Sequence, residues 1–460
     1  MSETASEPNP RRKWTILVYQ AGDNNLSEEC VFALKEMKKV GTANRRDSER
    51  DVNLIVQFDP AGRGNPARVF DIKAAGGDGT LEDDIDFEFD REIDSSNPLT
   101  LIKFLAFNIR KFPADHYMVV LSGHGAGFFE GFFLQDEERP LTLIPSSFPV
   151  TRLKEVFSDS RVMDALDGRN IDILGFDSCM MSTVEVCYEM RQNDHVLDLL
   201  IGSEGFSLNS GWPLGEILAE LNSHAGTNPT QLANFIVRNY SDFYSDYHLG
   251  GLSVDQSAIK LRLIRNLKEQ IDDLAQAMIE CIEAEGSSPP RYSPRGRPFQ
   301  DAILLAHWAA QSYNGEQCVD LFDFCELLQV RLNRANPLHE NVWRKCADVM
   351  SLIAERVILK TCTNGSAFQF SRGVSIYFPW ARFDLAPSYE KLDFAESVWF
   401  KFLKIYLEHT QRSPLAESKD NRSTPPTSKG PEGRIHSMRN PPTRFPVKHC
   451  SRADQFVQDN

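Results

Sequence analysis

Residues 117–127 read YMVVLSGHGAG, and residues 171–179 read IDILGFDSC. Each is a short apolar run closed by turn-forming residues. That is the pattern of a strand buried on both faces of a parallel sheet. Each run delivers a reactive side chain just past its last apolar residue, His124 in the first and Cys179 in the second. Ligands of an open parallel sheet bind beyond the carboxyl ends of its strands. Two adjacent strands of this kind therefore set His124 and Cys179 side by side. Their separation of 55 positions (179 − 124) leaves room for a helical crossover and an insertion.

The flanking sequence extends the same pattern. WTILVYQAGDNN, 14–25, is a strand followed by a turn cluster. Residues 27–40 place apolar side chains at 30, 34, 37 and 40, a helical period stopped at Gly41. VNLIVQF, 52–58, is a further buried strand, and this strand–helix–strand order predicts an α/β fold with a mostly parallel central sheet. Residues 68–73 and 85–90 predict a hairpin, its second strand half exposed because Ile85, Phe87 and Phe89 alternate with acids. The acidic run 82–94 lacks the glycine and the final Glu of an EF-hand loop and is a solvated strand. Residues 99–112 predict a helix and 198–202 a strand.

Downstream, helices are expected at 230–246, 256–284, 301–312, 319–333 and 341–358, and a strand at 373–378. The Pro-rich basic stretch 286–300 is a loop. The expected organisation is a leader, 1–13, an α/β domain, 14–250, a helix-rich subdomain, 251–410, and a basic Pro/Ser/Thr-rich tail, 411–460, without a packed core.

Composition narrows the function. The net charge is −15; the tail holds nine Lys+Arg and five Asp+Glu, +4, so residues 1–410 carry −19. An acidic body argues against nucleic acid, whose binding rests on basic groups, and gives no support for docking on an anionic membrane. The nine cysteines are odd in number, scattered and without a CxxC, which argues against a disulfide framework or zinc ribbon. No apolar h-region opens the chain and no run approaches a membrane span, so the expected location is cytoplasmic.

The chemistry suggested by the two strand ends is nucleophilic. A cysteine attacks as thiolate, and a neighbouring imidazole can take its proton and return it to a leaving amine. The N–H groups of Gly125 and Cys179 are candidate oxyanion donors. Two plainer readings stand beside this one. A cysteine at a strand end also serves as a small buried apolar group, and a histidine as a hydrogen-bonded structural residue. Cys187, Cys318 and Cys325 sit in helical, apolar contexts and are core. No GxSxG elbow, HExxH or Walker loop is present.

WTILVYQAGDNNLSE, LSGHGAGF, DILGFDSCMMSTVEVCYEM, GSEGFSLNSGWP, VDLFDFCELL and GVSIYFPW together resemble the clostripain family of cysteine peptidases, relatives of caspases, legumains and gingipains. The resemblance covers about Trp14 to Leu407. It implies a caspase-like α/β/α sandwich, with Cys179 as nucleophile, His124 as general acid/base and Gly125 as a backbone oxyanion donor. It also implies an endopeptidase for peptide or protein substrates with Arg or Lys at P1, the residue on the acyl side of the scissile bond.

Asp177 occupies the acidic position of the family's Asp-x-Cys block, and Glu204 is a second candidate acid. Asp177 has an alternative reading as a turn or helix cap, and Glu204 as a structural acid. Leu208-Asn209-Ser210 stands where relatives carry Pro-Gly-Asp before Gly-Trp, which weakens the expectation of a strict P1 arginine. Self-processing is expected at Arg152 or Lys154, since Arg139 precedes Pro140. No organic cofactor is implied; calcium occurs in the family, but no ligand set stands out here. The alternatives are a catalytically weak scaffold or interaction protein, and a legumain-type transamidase. The oligomeric state is left open.

Overall fold

A computed structural model of the chain describes residues 10–42, 51–129 (except 63, 74, 76–79 and 91), 134, 136, 147–191, 196–245 (except 225), 251–286, 298–380 (except 316) and 385–411. Its strands are β1 (Arg12–Gly22), β2 (Val52–Pro60), β3 (Arg68–Asp71), β4 (Ile85–Glu88), β5 (Ala114–Ser122), β6 (Ile171–Asp177), β7 (Leu197–Gly202), β8 (Val254–Lys260), β9 (Ser312–Tyr313), β10 (Cys318–Asp320), β11 (Ile358–Asn364) and β12 (Ser375–Tyr377). Nine of them form one sheet in the order β11-β8-β7-β6-β5-β1-β2-β3-β4. β7, β6, β5, β1 and β2 run parallel. The outer strands pair antiparallel. A second, small antiparallel sheet joins β9, β10 and β12.

The helices among the described residues are α1 (Ser27–Val40), α2 (Pro98–Lys111), α3 (Val150–Ser158), α4 (Ser160–Leu166), α5 (Val184–Arg191), α6 (Leu214–Ser223), α7 (Pro229–Phe243), α8 (Ile264–Gly286), α9 (Pro298–Ala309), α10 (Leu321–Arg331), α11 (Pro337–Leu352) and α12 (Val398–Gln411). The alternation of side chains along a strand divides them into two layers. Trp14, Ile16 and Val18 of β1 join Leu34 of α1, Leu218 of α6 and Ile236 of α7 in one buried cluster. Leu17 and Tyr19 face the other way, into a cluster with Leu105 of α2, Leu153 of α3 and Leu274 of α8. The result is an α/β/α sandwich, and β1 is buried on both faces because helices cover both.

The sheet is wider than the apolar runs indicate. Residues 256–284 are not one helix: 254–260 form β8 and α8 starts at Ile264. The stretch 341–358 likewise ends α11 at Leu352 and turns into β11. Helix 319–333 begins at Leu321, after β10. Residues 251–410, expected to be mainly helical, thus contribute β8 and β11 to the sheet. Leu17 and Leu407 belong to one buried cluster, so packing is continuous across residue 250. β4 is not half buried: as the edge strand it leaves Ile85 38% and Phe87 51% exposed.

Candidate active site

Three neighbouring parallel strands end at one edge of the sheet. β5 pairs with β6 so that Ser122 lies opposite Asp177, and with β1 so that Gln20 lies opposite Ser122. Past these ends the chain supplies His124 after β5 and Cys179 after β6. Both line a single cleft of about 470 Å³, open mouth included, walled by α1 and by Ser207–Gly211 beyond β7.

The two turns touch through Gly125. A Cβ there would fall 2.5 Å from the Cys179 carbonyl oxygen and 2.8 Å from its nitrogen. Both neighbours are backbone and cannot swing aside. Met180, next to the thiol, has φ 61°, a left-handed conformation that non-glycine residues seldom adopt. Its N–H donates to the Gly205 carbonyl at 2.9 Å, tying the turn to the cleft wall. Gly125→Ala is expected to push the His124 and Cys179 turns apart and to lower kcat/KM by about 100-fold, the usual cost of an ångström-scale misplacement. Steady-state kinetics, with circular dichroism to verify folding, measure it; activity within about threefold of wild type would show that the turns yield without harm.

Cys179 is partly exposed. Its Sγ accepts the Ser207 N–H at 3.3 Å. Burial pushes the thiol's pKa up, the Ser207 amide draws it down, and the charges of Asp177 and Asp255 raise it further. No Lys or Arg is among the described residues lining the cleft. The cleft's own potential therefore opposes a thiolate, and His124 is the lining side chain able to become its counter-ion. His124 Nε2 lies 2.6 Å from Asn25 Oδ1, in the turn after β1. Sequence reading missed Asn25, although it lies in the turn cluster that closes the neighbouring strand.

Asp177 ends β6 beneath the thiol and is 7% exposed. One carboxylate oxygen accepts from Ser122 Oγ at 2.9 Å and the other from the Trp212 N–H at 3.0 Å. Burial pushes its pKa up to about 6 against those two hydrogen bonds. Its partners lie on β5 and the cleft wall rather than on α5, so it is not a helix cap. Gly211, at φ 69°, wraps the carboxylate so closely that a Cβ would sit 2.7 Å from Oδ2.

Glu204 is fully buried and absent from the cleft lining. Its Oε1 accepts the Gly373 N–H at 2.7 Å. Burial, then the charges of Asp320 and Asp255, hold it well above the usual carboxylate range. Glu204 thus ties the cleft wall to the C-terminal part of the chain, and Ser207 is the residue that meets the thiol.

Arg152 and Lys154 lie in the first half of α3. Arg152 pairs with Glu155 at 2.6 Å, and Lys154 with Asp393 at 2.6 Å and Glu189 at 3.3 Å. Arg139 falls outside the described residues. Among the described residues no group of three or more His, Cys, Asp or Glu is placed to hold a metal ion.

The pattern of the clostripain family matches residues 18–405. Clostripain from Hathewaya histolytica is 22% identical over 421 residues, covering 81% of this chain and 76% of its own length. A secreted C11 cysteine protease from Bacteroides thetaiotaomicron, solved with an irreversible peptide inhibitor, superposes with a TM-score of 0.57 at 19% identity, over 85% of this chain and 99% of the other. An inactive zymogen C11 protease from Parabacteroides distasonis superposes at 0.52, with 19% identity and the same coverage of each chain. These likenesses support the α/β/α architecture, and the family match spans both strand ends and the cleft between them. The chain belongs to the clostripain family and is a cysteine-type peptidase.

Proposed function

We propose that this peptidase is an endopeptidase working through a Cys179–His124 dyad and selecting Arg or Lys at P1 with Asp177. One observation carries the reading: Cys179, His124 and the buried acid Asp177 line the same cleft, which has no basic side chain among its described lining residues. His124 takes the thiol proton, and the thiolate attacks the scissile carbonyl. The Gly125 N–H is the proposed donor to the resulting oxyanion. The imidazolium then protonates the leaving amine, and water hydrolyses the acyl-enzyme with His124 as base.

An acidic floor favours a guanidinium or ammonium group entering from the mouth. Ser122 and Trp212 leave the Asp177 carboxylate further lone pairs for that purpose. Maturation from an inactive precursor fits the same reading and is supported by the zymogen relative. Cleavage after Arg152 or Lys154 would require α3 to unwind first.

The test is a panel of fluorogenic peptides differing only at P1. Arg and Lys substrates are expected to exceed Asn and Asp substrates in kcat/KM by about 100-fold or more. Equal turnover of all four would sink the specificity. Ligation to an added amine would favour a transamidase, and no turnover by mature protein would favour a scaffold.

A further inference from the structure

We infer that Asn25 is the positioning residue of the dyad: its side-chain oxygen holds His124 in the tautomer whose Nδ1 takes the Cys179 proton. The inference rests on the Cys179–His124 reading above and adds a residue to it. β1 runs beside β5, so the turns that follow them share one edge of the sheet. There Asn25 Oδ1 stands 2.6 Å from His124 Nε2.

An amide oxygen can only accept, so the contact places the ring proton on Nε2. The neutral ring then has its lone pair on Nδ1. When the thiol proton arrives at Nδ1, Nε2–H still donates to the same oxygen, and the contact serves both protonation states. The opposite tautomer would have no lone pair on Nδ1 for the thiol proton, and Nε2 would present a lone pair to an acceptor.

The turn itself is pinned around Asn25. Asn24, 4% exposed, donates through Nδ2 to the Ala21 carbonyl at 2.9 Å and accepts the Leu26 N–H on Oδ1 at 2.9 Å. Its carbonyl accepts the Ser27 N–H at 3.2 Å. These bonds fix the backbone on both sides of Asn25, so a side chain on the surface is nevertheless held in place.

A neutral amide also suits the local charge. Glu29 of α1 and Asp177 of β6 line the cleft, and Asp255 of β8 acts on the thiol. Asn25 orients the ring without adding to that negative field.

The experiment compares the mature wild type with Asn25→Ala, Asn25→Asp and His124→Ala. It measures kcat and KM for an Arg-P1 peptide, and the pH profile of Cys179 carboxymethylation by iodoacetate, followed on the Cys179 peptide. The anionic reagent is favoured by imidazolium, so the alkaline limb of that profile reports loss of the ring proton. Asn25→Ala is expected to lower kcat roughly 10- to 100-fold with KM nearly unchanged, and to move the alkaline limb to lower pH because the imidazolium loses its acceptor. Asn25→Asp keeps an acceptor and adds charge. It should recover most of kcat and move the limb to higher pH.

An unchanged kcat and an unmoved limb in Asn25→Ala would overturn the inference, provided His124→Ala still slows carboxymethylation. If His124→Ala leaves carboxymethylation as in wild type, the dyad reading falls and this inference falls with it.

Discussion

Cys179→Ala is expected to abolish peptide hydrolysis, lowering kcat by about 10⁴-fold or more, because the acyl-enzyme route loses its nucleophile and Cys30, the other thiol among the described residues lining the cleft, is buried and held protonated. The fold should hardly register the change. Cys179 is partly exposed and its thiol meets one backbone donor, the Ser207 N–H at 3.3 Å. Losing that acceptor costs about 1 kcal/mol, a small shift in melting temperature for a domain of this size. Activity and stability therefore separate in a single variant.

Cys179→Ser is the sharper control. It keeps a polar atom against Ser207, but the hydroxyl is too weakly acidic for a lone imidazole to activate it as a thiol is activated. The other described cysteines, at 30, 187, 281, 318, 325, 346 and 362, are all buried. Burial pushes Cys30 and Cys281 up to about 12, so neither competes as a thiolate near neutral pH. Turnover of an Arg-P1 peptide by Cys179→Ala at more than about one hundredth of the wild-type rate would move the nucleophile elsewhere.

What was legible in the sequence follows from where each residue finds its partners. β1, β5 and β6 were readable because strands covered on both faces need uninterrupted apolar runs, and their ends named His124 and Cys179. β8 was not. Its VDQSAIK carries Asp255, Gln256 and Ser257, all nearly inaccessible. Asp255 accepts the N–H groups of Glu204 and Gly205, and Ser257 bonds to Ser182, 75 positions away. Polar residues satisfied at such range look like surface to any local pattern. The same distance hid Asn25, 99 positions from His124. The placement of Glu204 was not legible for a different reason. Glu204 lies three residues from Ser207, and only the path of that loop decides which of the two faces the thiol.

Asp177→Asn is expected to lower kcat/KM for Arg-P1 peptides by about 10²- to 10³-fold, equivalent to about 3–4 kcal/mol at 1.4 kcal/mol per decade, while a neutral P1 loses only a few-fold. The substitution preserves shape: one amide oxygen can accept the Trp212 N–H, and the amide nitrogen can donate to Ser122 Oγ. Only the charge is lost.

The pH dependence makes the same point without mutation. Asp177 has its pKa pushed up to about 6 by burial, so the free enzyme is expected to lose the proposed P1 counter-charge as pH falls through about 6. The ratio of kcat/KM for Arg over a neutral P1 should fall there. In the enzyme–substrate complex a bound guanidinium stabilises the carboxylate, so the fall in kcat for the Arg peptide belongs at lower pH than the fall in kcat/KM. Stability runs the opposite way. A carboxyl whose folded pKa lies above its unfolded value of about 3.9 stabilises the fold only at low pH, and that contribution is lost as pH rises through about 6. Removing the buried charge should therefore raise stability at neutral pH, by up to about 3 kcal/mol. A variant more stable than wild type yet blind to basic P1 residues is the expected outcome. An Arg-to-neutral ratio that stays flat from about pH 5 to about pH 8 would show that Asp177 supports the cleft without reading the substrate.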